Sequence, residues 1–107
     1  VIKVCSLTDL DDRKPSGFDV GDEHTPIVLV RDGDTVHALR DVCSHAEVAF
    51  SDGGDVGRDG VVCWLHGSCF DLRTGRPSTP PATEAVDVFA VELRAGDVYV
   101  DVTAAVN

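Results

Sequence analysis

Along the chain, apolar residues recur either every second position or in short unbroken runs, and no stretch of helical length carries a 3.6-residue period. That pattern predicts an all-β chain. Val1–Val4 is a short β-prone start. Leu7–Asp12 reads as a polar turn, with one helical turn opening at Thr8 or Asp9. Lys14-Pro15-Ser16-Gly17 reads as a chain break. Ile27–Val30 is continuously apolar, as in a buried strand, and Thr35–Leu39 is a second β-rich run. Asp32-Gly33-Asp34 between them signals a hairpin. Ser51–Asp55 and Gly57–Gly60 read as loops, Val61-Val62 as a strand, and Phe70-Asp71-Leu72 as short and extended. Thr74–Thr83 holds Gly75, Pro77, Pro80 and Pro81 and reads as a rigid loop. The clearest hairpin is C-terminal: Phe89, Val91 and Leu93 alternate with polar or small residues, Ala95-Gly96-Asp97 turns, and Val98, Val100 and Val102 alternate again. Such a pair buries one face. Many short strands with turn signals imply a sandwich or barrel. There is no internal repeat and no low-complexity segment.

With 107 residues, 43% hydrophobic and 26% charged, the chain is expected to form one globular domain. No run resembles a membrane-spanning helix. Residues 1–12 carry acid and no long apolar stretch, unlike a signal peptide. The expected compartment is therefore the reducing cytoplasm, where disulfides are rare. The formal net charge of −10 argues against nucleic-acid and anionic-membrane partners. It suits a partner with a basic docking face, and it also keeps the chain soluble.

The chemistry concentrates in two short segments. Cys43-Ser44-His45 is followed, after 17 residues, by Cys63-Trp64-Leu65-His66. Thiolate and imidazole are good ligands for iron and zinc. Two such loops side by side make a site with four ligands, Cys43, His45, Cys63 and His66. Two cysteines and two histidines also make a structural zinc set. Zinc fingers, however, pair Cys with Cys and His with His, usually with a helix. The mixed pairs here suit an asymmetric cluster in which one iron takes both thiolates and the other both imidazoles. His24 and His37 have no Cys partner at ligand spacing and read as surface or packing residues. Cys5 and Cys69 read as buried thiols, with a mutual disulfide as the alternative. No Ser/His/Asp set, paired catalytic carboxylates or phosphate loop is present.

Over nearly its whole length the chain resembles the soluble Rieske-type ferredoxins that serve bacterial non-haem iron oxygenases. Cys43-Ser44-His45 and Cys63-Trp64-Leu65-His66-Gly67-Ser68 match the two cluster loops of that family. Phe70-Asp71 and Gly75-x-Pro77…Pro81-Ala82 match the family's segment after the second loop. The resemblance implies an all-β Rieske fold, with a base of residues 1–41 and 85–107 and an inserted cluster-binding subdomain of about 42–84. It implies one [2Fe-2S] cluster, with Cys43 and Cys63 on the inner iron and His45 and His66 on the outer. It further implies a monomeric carrier, itself performing no bond chemistry, between a flavin-dependent ferredoxin reductase and a terminal oxygenase. In high-potential members each loop carries one more cysteine, and the two form a disulfide; Val48 and Leu65 stand there instead. Those members also hydrogen-bond the cluster through a serine and a tyrosine. Ser68 matches the serine, but Phe70 replaces the tyrosine, so the potential should lie toward the low end of the Rieske range of about −150 to +300 mV. Trp64 stands where proline is common and either caps the cluster loop or meets a partner. Pro77, Pro80 and Pro81 match the third loop, which covers the cluster. Two other functions remain open: a ferredoxin of iron–sulfur cluster assembly, and a non-redox, zinc-stabilised interaction module. A visible spectrum separates the last, because only the cluster is coloured. A Rieske-shaped nitrite reductase subunit is disfavoured, because many of those lack the ligands.

Overall fold

A computed structural model describes residues 1–44, 48–57, 60–65, 67–78 and 82–107. The strands are β1 (Ile2–Ser6), β2 (Pro15–Val20), β3 (Thr25–Asp32), β4 (Thr35–Arg40), β5 (Asp55–Val56), β6 (Val61–Val62), β7 (Cys69–Phe70), β8 (Val88–Arg94) and β9 (Asp97–Asp101). Six of them form one antiparallel sheet in the order β1-β9-β8-β4-β3-β2, and β5-β6-β7 form a small second sheet. The end strands β1 and β2 approach each other, so the large sheet nearly closes into a barrel. The all-β expectation holds. Among the described residues, no helix is long and apolar enough to cross a membrane.

The apolar run in β3 has a specific cause. Ile27 and Leu29 join Leu10, Val36, Ala38, Phe89, Val98 and Val100 in the barrel interior. Val28 and Val30 point the other way and join Leu39, Phe50, Val61, Phe70 and the two cysteines Cys43 and Cys63. All four consecutive residues of the run are fully buried. Each such side chain contributes about 1.5–3 kcal/mol through removal from water. The sheet is therefore apolar on both faces at β3 and β4, and the small sheet and its loops pack on the outer one.

Both expected hairpins form, β3–β4 around Asp32–Thr35 and β8–β9 around Arg94–Asp97. In the second, Leu93 is 40% exposed, so the buried face stops short of it. The reason is that β8 pairs with β4 only at Val88 and Phe89; beyond them it has β9 alone. The helical turn is a 3-10 turn over Leu7–Asp9, opening at Leu7 rather than at Thr8 or Asp9. It is fixed by the Ser6 N–H donating to the Asp9 carboxylate at 3.0 Å.

Three local readings need correction. Pro15-Ser16-Gly17 does not break the chain but opens β2, which pairs with β3 from Pro15–Val30 to Val20–Thr25. β2 ends the sheet order, and its first residue is the proline, where a missing N–H is tolerated. Gly17 allows a close approach: a Cβ there would stand 2.8 Å from Ser51 Cβ and 2.9 Å from Asp41 Oδ2. Asp55, placed in a loop by the sequence, begins β5. The short strand near Phe70 is Cys69–Phe70, because Asp71 and Leu72 already belong to the next turn. In the proline-rich segment, Thr79, Pro80 and Pro81 lie outside the described residues.

Gly60 shows how tightly the small sheet is built. Its φ is +148°, and a Cβ would run into the Phe70 carbonyl oxygen. Gly60→Ala is expected to destabilise the protein by about 2–4 kcal/mol, read as a lower urea midpoint at unchanged slope.

Candidate metal centre

Of the four proposed ligands, His45 and His66 lie outside the described residues, so the centre is built from Cys43, Cys63 and their surroundings. Both cysteines are almost fully buried, at 2% and 1% exposure, and both belong to the outer apolar cluster against β3 and β4. Neither takes part in a disulfide. β4 leads through Asp41 and Val42 into Cys43, and β6 leads directly into Cys63.

Each cysteine opens a loop closed in the same way. The Cys43 N–H donates to the Val48 carbonyl at 2.9 Å, and the Cys63 N–H donates to the Ser68 carbonyl at 2.8 Å. The two loops thus share one span, although their Cys–His spacings differ by a residue. In the second, the Gly67 N–H also donates to the Cys63 carbonyl at 3.0 Å, with Gly67 at a φ of +75°.

The first loop is tied to the barrel by Asp41. Its N–H donates to the Pro26 carbonyl at 3.0 Å, and its buried carboxylate accepts the Ser51 N–H at 3.0 Å and the Ser51 hydroxyl. Burial pushes the Asp41 carboxyl up, and the Ser51 hydrogen bonds oppose that shift.

Ser68 is fully buried, and its Oγ accepts the Ala82 N–H at 3.2 Å. A serine hydroxyl that accepts still has its own hydrogen to donate. Phe70, two residues further on, is fully buried, with its ring edge-on to Phe50 at 5.2 Å and 71°. Trp64 and Leu65 are 45% and 42% exposed. The indole N–H of Trp64 donates to the Ala49 carbonyl at 3.1 Å, and the side chain lies over Gly53. Val48 packs partly against the apolar cluster.

This chemistry fits a sulfur-rich iron group. Two soft thiol donors sit in one buried apolar cluster, outside any disulfide, and a buried hydroxyl sits on the closing residue of one loop. Among the described residues, no three potential ligands group together; His45 and His66 are not part of that set.

The other candidates are dispersed. Cys5 on β1 and Cys69 on β7 belong to different sheets and are not bridged. Cys5 is half-buried rather than buried, and burial, then Asp9 and Asp97, raise its pKa. His24 is exposed in a turn at a φ of +52°. His37 is half-buried on β4, where burial lowers its pKa against the opposing charge of Asp32. The sequence missed three polar anchors: the Asp41–Ser51 pair, the Asp71 turn and Asn107. In the turn, the Asp71 carboxylate accepts the Arg73 N–H at 2.8 Å and the Thr74 N–H at 2.9 Å. The Asn107 side chain donates to the Thr74 and Val86 carbonyls, each at 2.8 Å, and accepts the Val88 N–H at 3.0 Å. Only an Asp two to three residues before its backbone donors offers a local sequence signal.

The sequence profile described as Rieske [2Fe-2S] domain matches residues 1–90. The chain is 38% identical over 105 residues to the ferredoxin component of biphenyl 2,3-dioxygenase from Rhodococcus jostii, covering 98% of this chain and 95% of that protein. Among solved structures it is similar to the ferredoxin of carbazole 1,9a-dioxygenase from Nocardioides aromaticivorans, with a TM-score of 0.85 and 33% identity over 92% of this chain and 94% of that one. A ferredoxin solved in a complex of reduced oxygenase and oxidized ferredoxin in carbazole 1,9a-dioxygenase matches with a TM-score of 0.85 and 32% identity, covering 94% of this chain and 100% of that one.

The Asp71 turn carries a pH prediction. The N–H groups of Thr74 and Arg73 hold the Asp71 carboxyl below the usual carboxylate range. Its stabilisation is complete above the unfolded-state value and is lost as pH falls through the lowered folded-state value. Asp71→Ala is expected to cost about 1 kcal/mol at neutral pH. In urea titrations over pH 2–7, the gap from the parent protein should close at the acid end.

Proposed function

This chain belongs to the Rieske [2Fe-2S] domain family, and from that premise we propose that it is a ferredoxin carrying single electrons from a flavin-dependent reductase to a non-haem iron oxygenase. The observation that carries the reading is the pair of buried cysteines, each opening a loop of the same closure and both packed in one apolar cluster. Relatives named as dioxygenase ferredoxin components, matched over nearly the full chain, supply the partner class. Cys43 and Cys63 would hold one iron as thiolates, and His45 and His66 would hold the other through imidazole nitrogens. Residues 42–84 form the cluster-binding insertion in a base of 1–41 and 85–107. The working compartment is the cytoplasm.

When bound, the cluster takes up and returns one electron, and the protein itself breaks and makes no bonds. The residues of the chain hold, shield and tune it. Two thiolates and two sulfides balance two ferric ions, so the oxidised group is formally neutral and suits apolar surroundings. Phe50, Phe70, Val61 and Val28 exclude water from the thiolate side. Ser68, oriented by the Ala82 N–H, would donate to a cluster sulfur and so favour the reduced, more negative state. Phe70 has no hydroxyl with which to add a second such bond.

The purified protein should be coloured and, when reduced, should show a Rieske electron-resonance signal. His45→Cys or His66→Cys should abolish that signal; its survival would overturn the ligand assignment, and a colourless zinc protein would overturn the reading. Ser68→Ala should lower the midpoint potential by about 60 mV, one tenfold step for a one-electron couple. Protein-film voltammetry measures the shift, and an unchanged potential would remove Ser68 from contact with the cluster.

A further inference from the structure

Three segments meet at the apolar cluster of Cys43 and Cys63: the first loop through Ala49, the second loop from Cys63 to Ser68, and the return segment at 82–84. Each is hydrogen-bonded to both of the others. Ser44 Oγ, on the first loop, donates to the Glu84 carbonyl of the return segment at 2.6 Å. The Ala82 N–H, on the return segment, donates to Ser68 Oγ of the second loop at 3.2 Å. Trp64 Nε1, on the second loop, donates to the Ala49 carbonyl at the foot of the first at 3.1 Å.

We propose that these three bonds form a closed ring around the cluster site and that Trp64 is the positioning residue that closes it. The inference rests on the cluster reading above and deepens it. Two links would leave the segments as an open chain with one free hinge. The third removes that hinge, so each pair of segments is held both directly and through the remaining one. The loop-linking donors, Ser44 and Trp64, each directly follow a cysteine, so each link restrains the backbone next to a ligand. A short side chain suffices at position 44. At position 64 the donor must cross to the neighbouring loop, and an indole supplies both the reach and the N–H. Its seat is Gly53, at a φ of +121°, where a Cβ would lie 3.6 Å from Trp64 Cγ. In a simple packing role the indole's bulk would matter and its N–H would not.

The test compares the parent holoprotein with Trp64→Phe, Ser44→Ala and the double variant. Trp64→Phe keeps an aromatic ring over Gly53 and removes only the donor; both sites are exposed, so the fold survives either change. Cluster release into excess chelator is followed by loss of visible absorbance. Each single variant should release it about three- to tenfold faster. The double variant should release it faster than the product of the two single effects, because it alone frees the first loop from both of its partners. Two independent links would instead multiply, and that result, or a Trp64→Phe rate equal to the parent's, overturns the proposal. Hydrogen-exchange mass spectrometry gives a readout that needs no cluster. Trp64→Phe should speed exchange in the first loop, at the Cys43 amide, and Ser44→Ala in the second, at the Cys63 amide. Absence of these cross-loop effects overturns the ring whatever the protein's colour. A colourless parent that still shows them overturns the cluster reading and leaves the ring standing.

Discussion

Strand β3 is buried on both faces, with Ile27 and Leu29 turned into the barrel and Val28 and Val30 turned against the loops that carry Cys43 and Cys63. The rest of the molecule depends on that double burial. The small sheet has strands of only two residues each and cannot hold itself together in water. Its stability comes from laying Phe50, Val61 and Phe70 on an apolar surface that the barrel keeps rigid. The cysteines belong to the same packed layer, so their positions are set by the barrel rather than by the loops alone. A close-packed layer transmits small shifts, and a volume change at Val28 or Leu39 would move the sulfurs as directly as a change in the loops.

This division also explains what could be read from the sequence and what could not. β3–β4 and β8–β9 were legible because apolar pattern and turn residues are both local. The candidate ligand motif stood out because few residue types bind iron through sulfur and nitrogen, and its spacing is restrictive; the structure describes its two cysteines, Cys43 and Cys63, both buried. β2 was not legible, because Pro15 and Gly17 are breakers by local preference. Their real roles are an edge position and the near contact with Ser51 and Asp41, and both come from tertiary structure. The links that hold the loops were hidden for the same reason. Asp41 to Ser51, Trp64 to Ala49 and Ser44 to Glu84 are polar contacts between distant residues with no period to betray them. The matched closure of the two loops was hidden by their unequal Cys–His spacing.

Charge works on a different scale. Lys3, Arg13, Arg40 and Arg94 each pair with a carboxylate at 2.8–3.5 Å, in pairs open to solvent. Such pairs contribute about 1 kcal/mol or less each. Some arginines do more as donors to the backbone. Arg13 reaches the Gly57 carbonyl at 2.5 Å and ties the barrel to the strand pair β5–β6. Arg31 reaches the Leu7 and Leu10 carbonyls, each at 3.3 Å, and fastens the 3-10 turn. With many cations engaged in this way, the excess acid remains as a general negative field.

That field bears on the redox balance. Reduction adds a negative charge to a molecule already at −10, and the apolar layer around Cys43 and Cys63 stabilises added charge poorly. Both effects disfavour the reduced state. Phe70 has no hydroxyl to offset them, whereas the proposed hydrogen bond from Ser68 to a cluster sulfur would oppose them. The surface part of this balance is screened by salt, because fields between exposed charges fall off over about 8–10 Å. The buried part is not. The midpoint potential should therefore divide into a fraction that rises with ionic strength and a fraction that does not move, and the proposed roles of Ser68 and Phe70 fall in the second.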